Sequence, residues 1–182
     1  MRQARRHDDI LAAARSVVAA HGYEATTMEA IAVAAGVGKP TLYRWWPNRA
    51  ALVHEALVVE VLPSTVTDLR GFVAGVLAFF DRALVREAWL GAMAELSHDP
   101  ASLAVARAAF LDPAAEQLRA IVGDDADVVV DLVLGAGIAG LLRPGRRPPR
   151  ATRVDRIVEA ITRSSCSDLR NPPVDAHPIA GR

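Results

Sequence analysis

The chain has 182 residues, of which 52% are hydrophobic and 23% are charged, and its formal net charge at pH 7 is zero. This length allows one sizeable core, or a small N-terminal domain with a larger body. A neutral chain has no overall attraction to nucleic acid, so DNA binding would need a local group of basic side chains. Cys166 is the only cysteine, which excludes an intrachain disulfide. The polar N-terminus and the absence of a long uninterrupted apolar run predict a soluble, cytoplasmic protein with no membrane segment.

Apolar residues at helical spacing predict a first helix from about Arg5 to His21, ended by Gly22. A second helix is predicted after Thr26, because Thr26 and Glu29 have the spacing of an N-terminal capping box. The narrow apolar face of this second helix consists of Met28, Ile31 and Ala35.

A glycine-containing turn leads to a third, short helix, and the arrangement is that of a helix-turn-helix. We expect Gly36 to adopt the left-handed conformation, Val37 to turn inward and Pro40 to lie in the first turn of the third helix. Such a helix can enter the major groove of DNA. The side chains on its exposed side that bind phosphates or base edges are Lys39, Thr41, Tyr43 and Arg44. An ordinary helix-loop-helix with a solvated polar face is the alternative.

Charge is unevenly distributed around this motif, since no acidic residue lies between Glu29 and Glu55. The basic residues of that segment are Lys39, Arg44 and Arg49. A basic arm is expected ahead of the first helix, formed by Arg2, Arg5 and Arg6. A local basic surface is what phosphate binding requires, although a solvated, frayed terminus is the alternative for Arg2.

After Pro47, a connecting helix is predicted from Arg49 to about Leu62, ended by Pro63. The rest of the chain should also be helical, because nothing alternates with the two-residue period of a strand. The helices of the body are predicted from Thr67 or Asp68 to about Phe80, from Arg86 to Leu96, from Asp99 past a kink at Pro113, from Asp124 to Leu142 and from Thr152 to Arg163.

These elements predict an all-α protein with two domains. Residues 1–48 would form an N-terminal three-helix domain with the helix-turn-helix, and residues 49–62 a connecting helix. Residues 63–163 would form a helical bundle, followed by a flexible C-terminal tail at 164–182.

Residues from about Asp8 to Leu57 resemble the N-terminal domain of the TetR family of bacterial transcriptional regulators. The matching segments, in the family's order and spacing, are His21-Gly22-Tyr23, Thr26-Thr27, Ile31-Ala32, Ala35-Gly36-Val37, Thr41-Leu42-Tyr43, Trp46-Pro47-Asn48-Arg49 and Ala51-Leu52. The resemblance covers about the first third of the chain and implies a sequence-specific regulator that binds double-stranded operator DNA.

The resemblance also implies which residues bind the operator, with Tyr43 and Arg49 acting mainly on phosphates. The full set, to which the basic arm adds Arg5, is Thr27, Lys39, Pro40, Thr41, Tyr43, Arg44 and Arg49. Gly38 departs from the family, which often has a capping Ser or Thr there, so one phosphate contact would be lost. Trp45-Trp46 replaces the commoner His-Phe pair, and both rings are expected to pack in the domain. Arg49 replaces a commoner lysine.

The resemblance further implies a homodimer, in which helices 125–142 and 152–163 form a four-helix bundle with those of the partner. Each glycine in helix 125–142 costs roughly 1 kcal/mol of helix stability relative to alanine, so these glycines need a packing reason. A two-fold dimer would place two recognition helices on a palindrome, whereas a completed monomeric core is the alternative. In the family's architecture the connector Arg143–Arg150 lies far from DNA, so we expect a solvated loop rather than a second DNA contact.

The resemblance also implies a small, hydrophobic effector bound in a cavity of the body. The candidate lining residues are Phe72, Phe79, Phe80, Trp89, Met93 and Phe110, although such residues commonly fill plain core. In the family the effector favours the state that does not fit the operator, with the helix from Arg49 as the lever. The resemblance therefore implies a repressor that its effector releases from the operator.

No sequence pattern indicates catalysis, a metal site or a cofactor. The five histidines are scattered, and neither a metalloprotease signature, a pair of closely spaced cysteines nor a nucleophile elbow occurs. The segment 135–140 has the letters of a dinucleotide-binding fingerprint, but no strand precedes it. Two alternatives stay open: a helical ligand-binding protein with weak or no specific DNA binding, and a DNA-binding module without a ligand site.

Overall fold

The structure, a computed structural model, describes residues 2–59, 66–143 and 148–167. Within these ranges every regular element is helical, which confirms the predicted all-α fold. The N-terminal part contains α1 (Arg2–His21), α2 (Met28–Ala34), α3 (Lys39–Tyr43) and α4 (Arg49–Val58). The body contains α5 (Leu69–Asp81), α6 (Ala83–Leu96), α7 (Pro100–Ala106), a π-helical turn (Arg107–Leu111), α8 (Asp112–Val122), a 3-10 turn (Gly123–Asp125), α9 (Ala126–Leu141) and α10 (Arg150–Ser167).

The first helix is longer than predicted and begins at Arg2. Arg5 and Arg6 therefore lie within α1, and the expectation of a basic arm ahead of the helix is wrong. Gln, Ala and Arg all have good helix propensity, so nothing in this segment stops the helix from extending to its start. Arg5 is exposed on the surface of α1.

The capping box predicted from Thr26 and Glu29 is also wrong. Thr27 is the N-cap of α2, and its Oγ1 accepts a hydrogen bond from the backbone N–H of Ala30 at 3.1 Å. Thr26 is fully buried, and its hydroxyl donates to the carbonyl oxygen of Gly22 at 2.7 Å. Because Thr26 is tied to the preceding turn, the next residue caps the helix.

The turn between α2 and α3 has the predicted geometry. Gly36 has φ of 63°, a conformation that favours glycine. Val37 is half-buried against the core, and Pro40 lies in the first turn of α3. Gly38 occupies the N-cap position without a side-chain hydrogen bond, so the missing cap noted in the sequence is real.

Helix α4 joins the two parts of the molecule. Asn48 caps it by accepting a hydrogen bond from the N–H of Ala51 at 2.9 Å. The helix packs against α1 on one side and against α6 and α7 on the other, and most of its residues are buried. Its predicted end at Leu62 and the boundary at Pro63 lie outside the described residues.

In the body, Asp68 rather than Thr67 caps α5, with Oδ1 accepting from the N–H of Gly71 at 2.7 Å. Asp99 caps α7, where Pro100 takes the first position as predicted. The irregularity expected at Pro113 is the π-helical turn that leads into α8.

Helix α10 continues to Ser167, beyond the predicted end at Arg163. The remainder of the predicted flexible tail, residues 168–182, lies outside the described residues, as do residues 144–147 of the connector.

One glycine of α9 has the packing reason that the sequence required. A Cβ atom on Gly137 would overlap Cδ2 of Phe80, so the glycine allows α9 to approach α5 closely. Gly135 faces open space instead. Across the described ranges, no helix reaches the combination of length and apolarity that a bilayer crossing needs.

Candidate DNA-binding surface and internal cavity

The short helix α3 presents a polar surface because its apolar residues anchor it from beneath. Leu42, within α3, and Trp46, just after it, are fully buried. Thr41 is half-buried on the same short helix. The predicted DNA-binding residues that lie exposed on or beside this helix are Lys39, Pro40, Tyr43 and Arg44. Their side chains are available to a ligand in front of α3.

Three of the predicted operator contacts meet around one shallow groove. Thr27, Tyr43 and Arg49 line an open depression of about 240 Å³, between the starts of α2 and α4. Two acidic residues, Glu29 and Glu95, line the same groove. The sequence predicted the first three, but the structure adds two carboxylates to the same surface.

Arg49 is engaged within the protein. Its Nε donates to Oε2 of Glu95 at 3.1 Å, and Nη1 donates to the carbonyl oxygens of Thr26 at 2.9 Å and Glu24 at 3.2 Å. The guanidinium carbon lies 4.8 Å from the ring centroid of Tyr23. Arg49 thus joins the segment before α2 to helix α6 of the body.

Lys39 and Arg44 have different surroundings. The Nζ atom of Lys39 donates to Oε1 of Glu29 at 2.5 Å, and both side chains are exposed. Arg44 is exposed, with its guanidinium carbon 5.9 Å from the centroid of Trp45. The sequence shows a basic segment without acids, but folding brings an acid from α2 to Lys39 and one from α6 to Arg49.

The tryptophan pair packs as expected and fastens α3 to its neighbours. The indole N–H of Trp46 donates to Oε2 of Glu55 at 2.6 Å, and Oε1 of Glu55 lies 3.0 Å from Nε2 of His7. The His7 ring stacks on Trp46 with centroids 4.9 Å apart, while Trp45 is half-buried beside it. These contacts hold α1, the segment after α3 and α4 together.

The body encloses an apolar cavity of about 220 Å³. Five of the six residues predicted from the sequence line it: Phe79, Phe80, Trp89, Met93 and Phe110. Phe72 is buried elsewhere in the core and is absent from the lining, so the structure does not group it with the others. The lining residues that sequence reasoning missed are His54, Val58, Leu103, Ala106, Arg107, Leu111, Leu134 and Ile138.

His54 is the polar side chain buried in the cavity wall. It is 5% exposed, and its Nδ1 atom is buried without a hydrogen-bond partner. Burial lowers the pKa of His54 to about 4, so the imidazole is neutral at pH 7. The sequence signal for this position was a histidine that follows a run of four apolar residues in α4.

The cavity and the groove are connected by shared helices. Arg49, at the start of α4, lines the groove, while His54 and Val58 of the same helix line the cavity. On α6, Trp89 and Met93 line the cavity and Glu95 reaches the groove. A change at the cavity wall is therefore one or two helical turns from the groove.

Comparisons with known proteins identify the N-terminal part. Residues 10–56 match the family described as bacterial regulatory proteins, tetR family. An uncharacterized HTH-type transcriptional regulator of Bacillus subtilis is 39% identical over 62 residues, which cover 34% of this chain and only 29% of that protein. One from Mycobacterium tuberculosis is 26% identical over 181 residues, covering 88% of this chain and 90% of that protein.

A solved structure extends the likeness to most of the chain. The crystal structure of the TetR family transcription regulator SCO0332 is 26% identical, covers 85% of this chain and 95% of its own, and superposes with a TM-score of 0.59. The structure of a transcriptional regulator from Pseudomonas aeruginosa PAO1, 17% identical, shares the fold over 93% of this chain and 96% of its own, with a TM-score of 0.53. Residues 10–56 therefore form an N-terminal domain of the tetR family of bacterial regulatory proteins, and most of the chain shares the fold of a TetR family transcription regulator.

Proposed function

We propose that the protein is a homodimeric repressor that binds a palindromic operator and is released by a small, apolar effector. The observation that carries this proposal is the position of α4, which lines the DNA-side groove with Arg49 and the cavity with His54 and Val58. An effector that binds more tightly to an arrangement unsuited to the operator would shift the population away from DNA.

Two helices provide the physical route for this coupling. Helix α4 is buried between α1 and α6, so it moves only if its neighbours also move. Glu95 on α6 holds Arg49 and accepts a hydrogen bond from the Tyr23 hydroxyl at 2.9 Å. A displacement of α6 by an occupant beside Met93 would therefore be transmitted to the segment that precedes α2.

A stripe of apolar and small residues on α9 supports the homodimer. Val128 is 58% exposed, Leu132 54% and Leu142 68%. Gly135 is exposed on the same helix, and Ala139 is half-buried. Successive members of the row 128, 132, 135, 139 and 142 are four, three, four and three residues apart, which places them on one side of α9 and of the residue that follows it. Exposed apolar side chains in one row favour a second helix packed against them, and a two-fold pair of such helices would set two copies of α3 on a palindrome.

DNA binding is tested by fluorescence anisotropy with intergenic DNA flanking the gene, against random DNA of equal length, at several salt concentrations. We expect Tyr43→Ala and Arg44→Ala to weaken binding to the flanking DNA, each by about five- to fiftyfold. Arg119→Ala removes the same charge as Arg44→Ala, but from an exposed position on α8, so it is the matched control and should change DNA affinity little. Equal affinity for both DNAs, unaffected by either change, would instead favour a helical ligand-binding protein.

The homodimer is tested by sedimentation velocity. Leu132→Glu places a charge in the middle of the α9 stripe and should convert dimer to monomer at micromolar concentration. Leu90→Glu makes the same change at an exposed leucine of α6 and should leave the dimer intact. A wild-type monomer, or a dimer unaffected by Leu132→Glu, contradicts the proposed interface.

A further inference from the structure

We propose that the effector cavity takes a neutral, monocyclic phenol whose hydroxyl hydrogen-bonds to the imidazole of His54. The proposal rests on the proposed effector function of this cavity, and it adds the chemical class of the molecule and the residue that recognises it. Size, lining, charge and the state of His54 each contribute to the assignment.

The volume restricts the size of the occupant. An engineered cavity of about 150 Å³ lined by apolar side chains binds benzene. The cavity here, at about 220 Å³, is half as large again. It therefore suits one aromatic ring with a small substituent, and it is too small for a fused polycyclic drug or a long acyl chain in an extended form.

The lining favours an aromatic occupant. The rings of Phe79 and Phe80 meet edge to face with centroids 5.0 Å apart, and Phe80 meets Trp89 in the same way at 5.2 Å. A ligand ring placed against this row extends the same edge-to-face geometry, which is favourable beyond the burial of apolar area.

Charge on the lining disfavours ionic ligands. Among the described residues no acidic side chain lines the cavity, so an ammonium group would lose its hydration without gaining a counter-ion from them. Arg107 is the basic residue of the lining, but its side chain is 65% exposed and donates to Oδ1 of Asp112 at 3.1 Å. A carboxylate ligand would have to compete with Asp112 at the solvent-facing edge.

His54 supplies the specific polar contact. The neutral imidazole offers one donor and one acceptor nitrogen, and Nδ1 has no hydrogen-bond partner within the described part of the chain. His54 lines the cavity, so a ligand hydroxyl there would lie beside a neutral imidazole whose Nδ1 is unsatisfied. A buried unpaired nitrogen is costly, and a ligand hydroxyl would satisfy it.

Isothermal titration of the full chain with two probes of equal shape tests the proposal. 4-Ethylphenol and 4-ethyltoluene differ only by a hydroxyl in place of a methyl group. We expect wild type to bind 4-ethylphenol about five- to tenfold more tightly, the ratio of one net hydrogen bond. In His54→Leu this preference should disappear or reverse, while His54→Gln, which keeps a donor and an acceptor, should retain part of it.

Matched variants and a third probe complete the design. His98→Leu makes the same substitution at an exposed histidine outside the cavity and should leave both affinities unchanged. Three outcomes would each overturn the proposal. Neither neutral probe binds, or wild type binds both with equal affinity. Alternatively, 4-ethylbenzoate binds more tightly than 4-ethylphenol and loses this advantage in Arg107→Gln.

These titrations contain no DNA, so the two proposals fail separately. Phenol binding that never releases operator DNA counts against the repressor mechanism alone. Specific DNA binding by a protein that binds neither neutral probe counts against the phenol site alone.

Discussion

Arg49 and Glu95 are 46 residues apart in the chain and are joined by a hydrogen bond of 3.1 Å from Nε to Oε2. The same carboxylate oxygen accepts a hydrogen bond from the hydroxyl of Tyr23 at 2.9 Å. Burial and the adjacent Glu95 raise the pKa of Tyr23, so its hydroxyl stays protonated and donates. The arginine proposed to bind an operator phosphate is thus held by a carboxylate in the groove itself.

Glu95→Gln should strengthen DNA binding. The amide keeps an acceptor for Tyr23 but removes a negative charge from the groove, so a phosphate beside Arg49 meets less repulsion. We expect affinity to rise about three- to tenfold at low salt, with a smaller gain at high salt because screening weakens the charge effect. Anisotropy titrations at two ionic strengths measure it.

The control for this variant is Glu116→Gln, which makes the same charge change at an exposed position on α8. It should leave DNA affinity unchanged. Weaker binding by Glu95→Gln would mean that the contact with Arg49 orients the DNA-binding domain more than it opposes the phosphate.

Ser102→Ala should destabilise the junction between α4 and α7. The hydroxyl of Ser102 is fully buried, accepts from Nδ2 of Asn48 at 2.5 Å and donates to the Asp99 carboxylate. Its removal leaves the half-buried amide of Asn48 without this partner, which costs about 1–3 kcal/mol. Urea denaturation measures the loss, and Ser97→Ala at an exposed serine of the same region should cost far less.

Gly91→Ala should also destabilise the protein, because α6 lies against the ring of Tyr23. A Cβ at this position would lie 2.6 Å from Cδ1 of Tyr23, so the ring must move. We expect a loss of about 1–3 kcal/mol. Gly135→Ala on α9, where nothing lies within 4 Å, should be neutral or stabilising by up to about 1 kcal/mol.

Repeating Gly91→Ala in a Tyr23→Leu variant identifies the cause of the destabilisation. If the clash with the Tyr23 ring causes the loss of stability, Gly91→Ala should lower the free energy of unfolding clearly less when Tyr23 is replaced by leucine. An equal cost in both backgrounds would assign the effect to the helix itself.

The buried histidine predicts a specific dependence of stability on pH. The pKa of His54 is lowered from its ordinary 6.5 to about 4, so between these values the unfolded chain binds a proton that the folded protein does not. Stability should therefore fall as the pH drops from about 6.5 to about 4, by about 1.4 kcal/mol per pH unit. Above pH 6.5 both states are neutral at this residue and the effect vanishes.

His54→Leu removes this contribution. Between pH 7 and pH 5, wild type should lose about 2 kcal/mol more than the variant, as measured by urea denaturation at each pH. Parallel stability curves for the two proteins would show that the imidazole is already protonated, or solvated, in the folded state.

Sequence reasoning succeeded where the signal is local. Gly36, Pro40, Asp99 and Pro100 impose their conformations through their own backbone chemistry, so the turn and the start of α7 could be predicted. It failed by one residue at the start of α2, because Thr26 is occupied by a contact with Gly22 that spacing alone does not reveal.

Contacts between distant segments could not be predicted in the same way. Nothing near Arg49 in the chain indicates Glu95, and nothing near Asn48 indicates Ser102, because these pairs form only when α4 packs against α6 and α7. The same packing selects Phe79 and Phe80 for the cavity and leaves Phe72 in the core. All three rings look alike in the sequence.

The sequence by itself determined the all-helical fold, the helix-turn-helix and the TetR-like character of the N-terminal domain, since these depend on residue order, spacing and backbone preference. Only the tertiary structure decided that acids from other helices lie beside Lys39 and Arg49, and that His54 is neutral and unpaired in a cavity wall. The physical reason is that charge and burial are set by neighbours in space, and a side chain acquires those neighbours only when the helices pack.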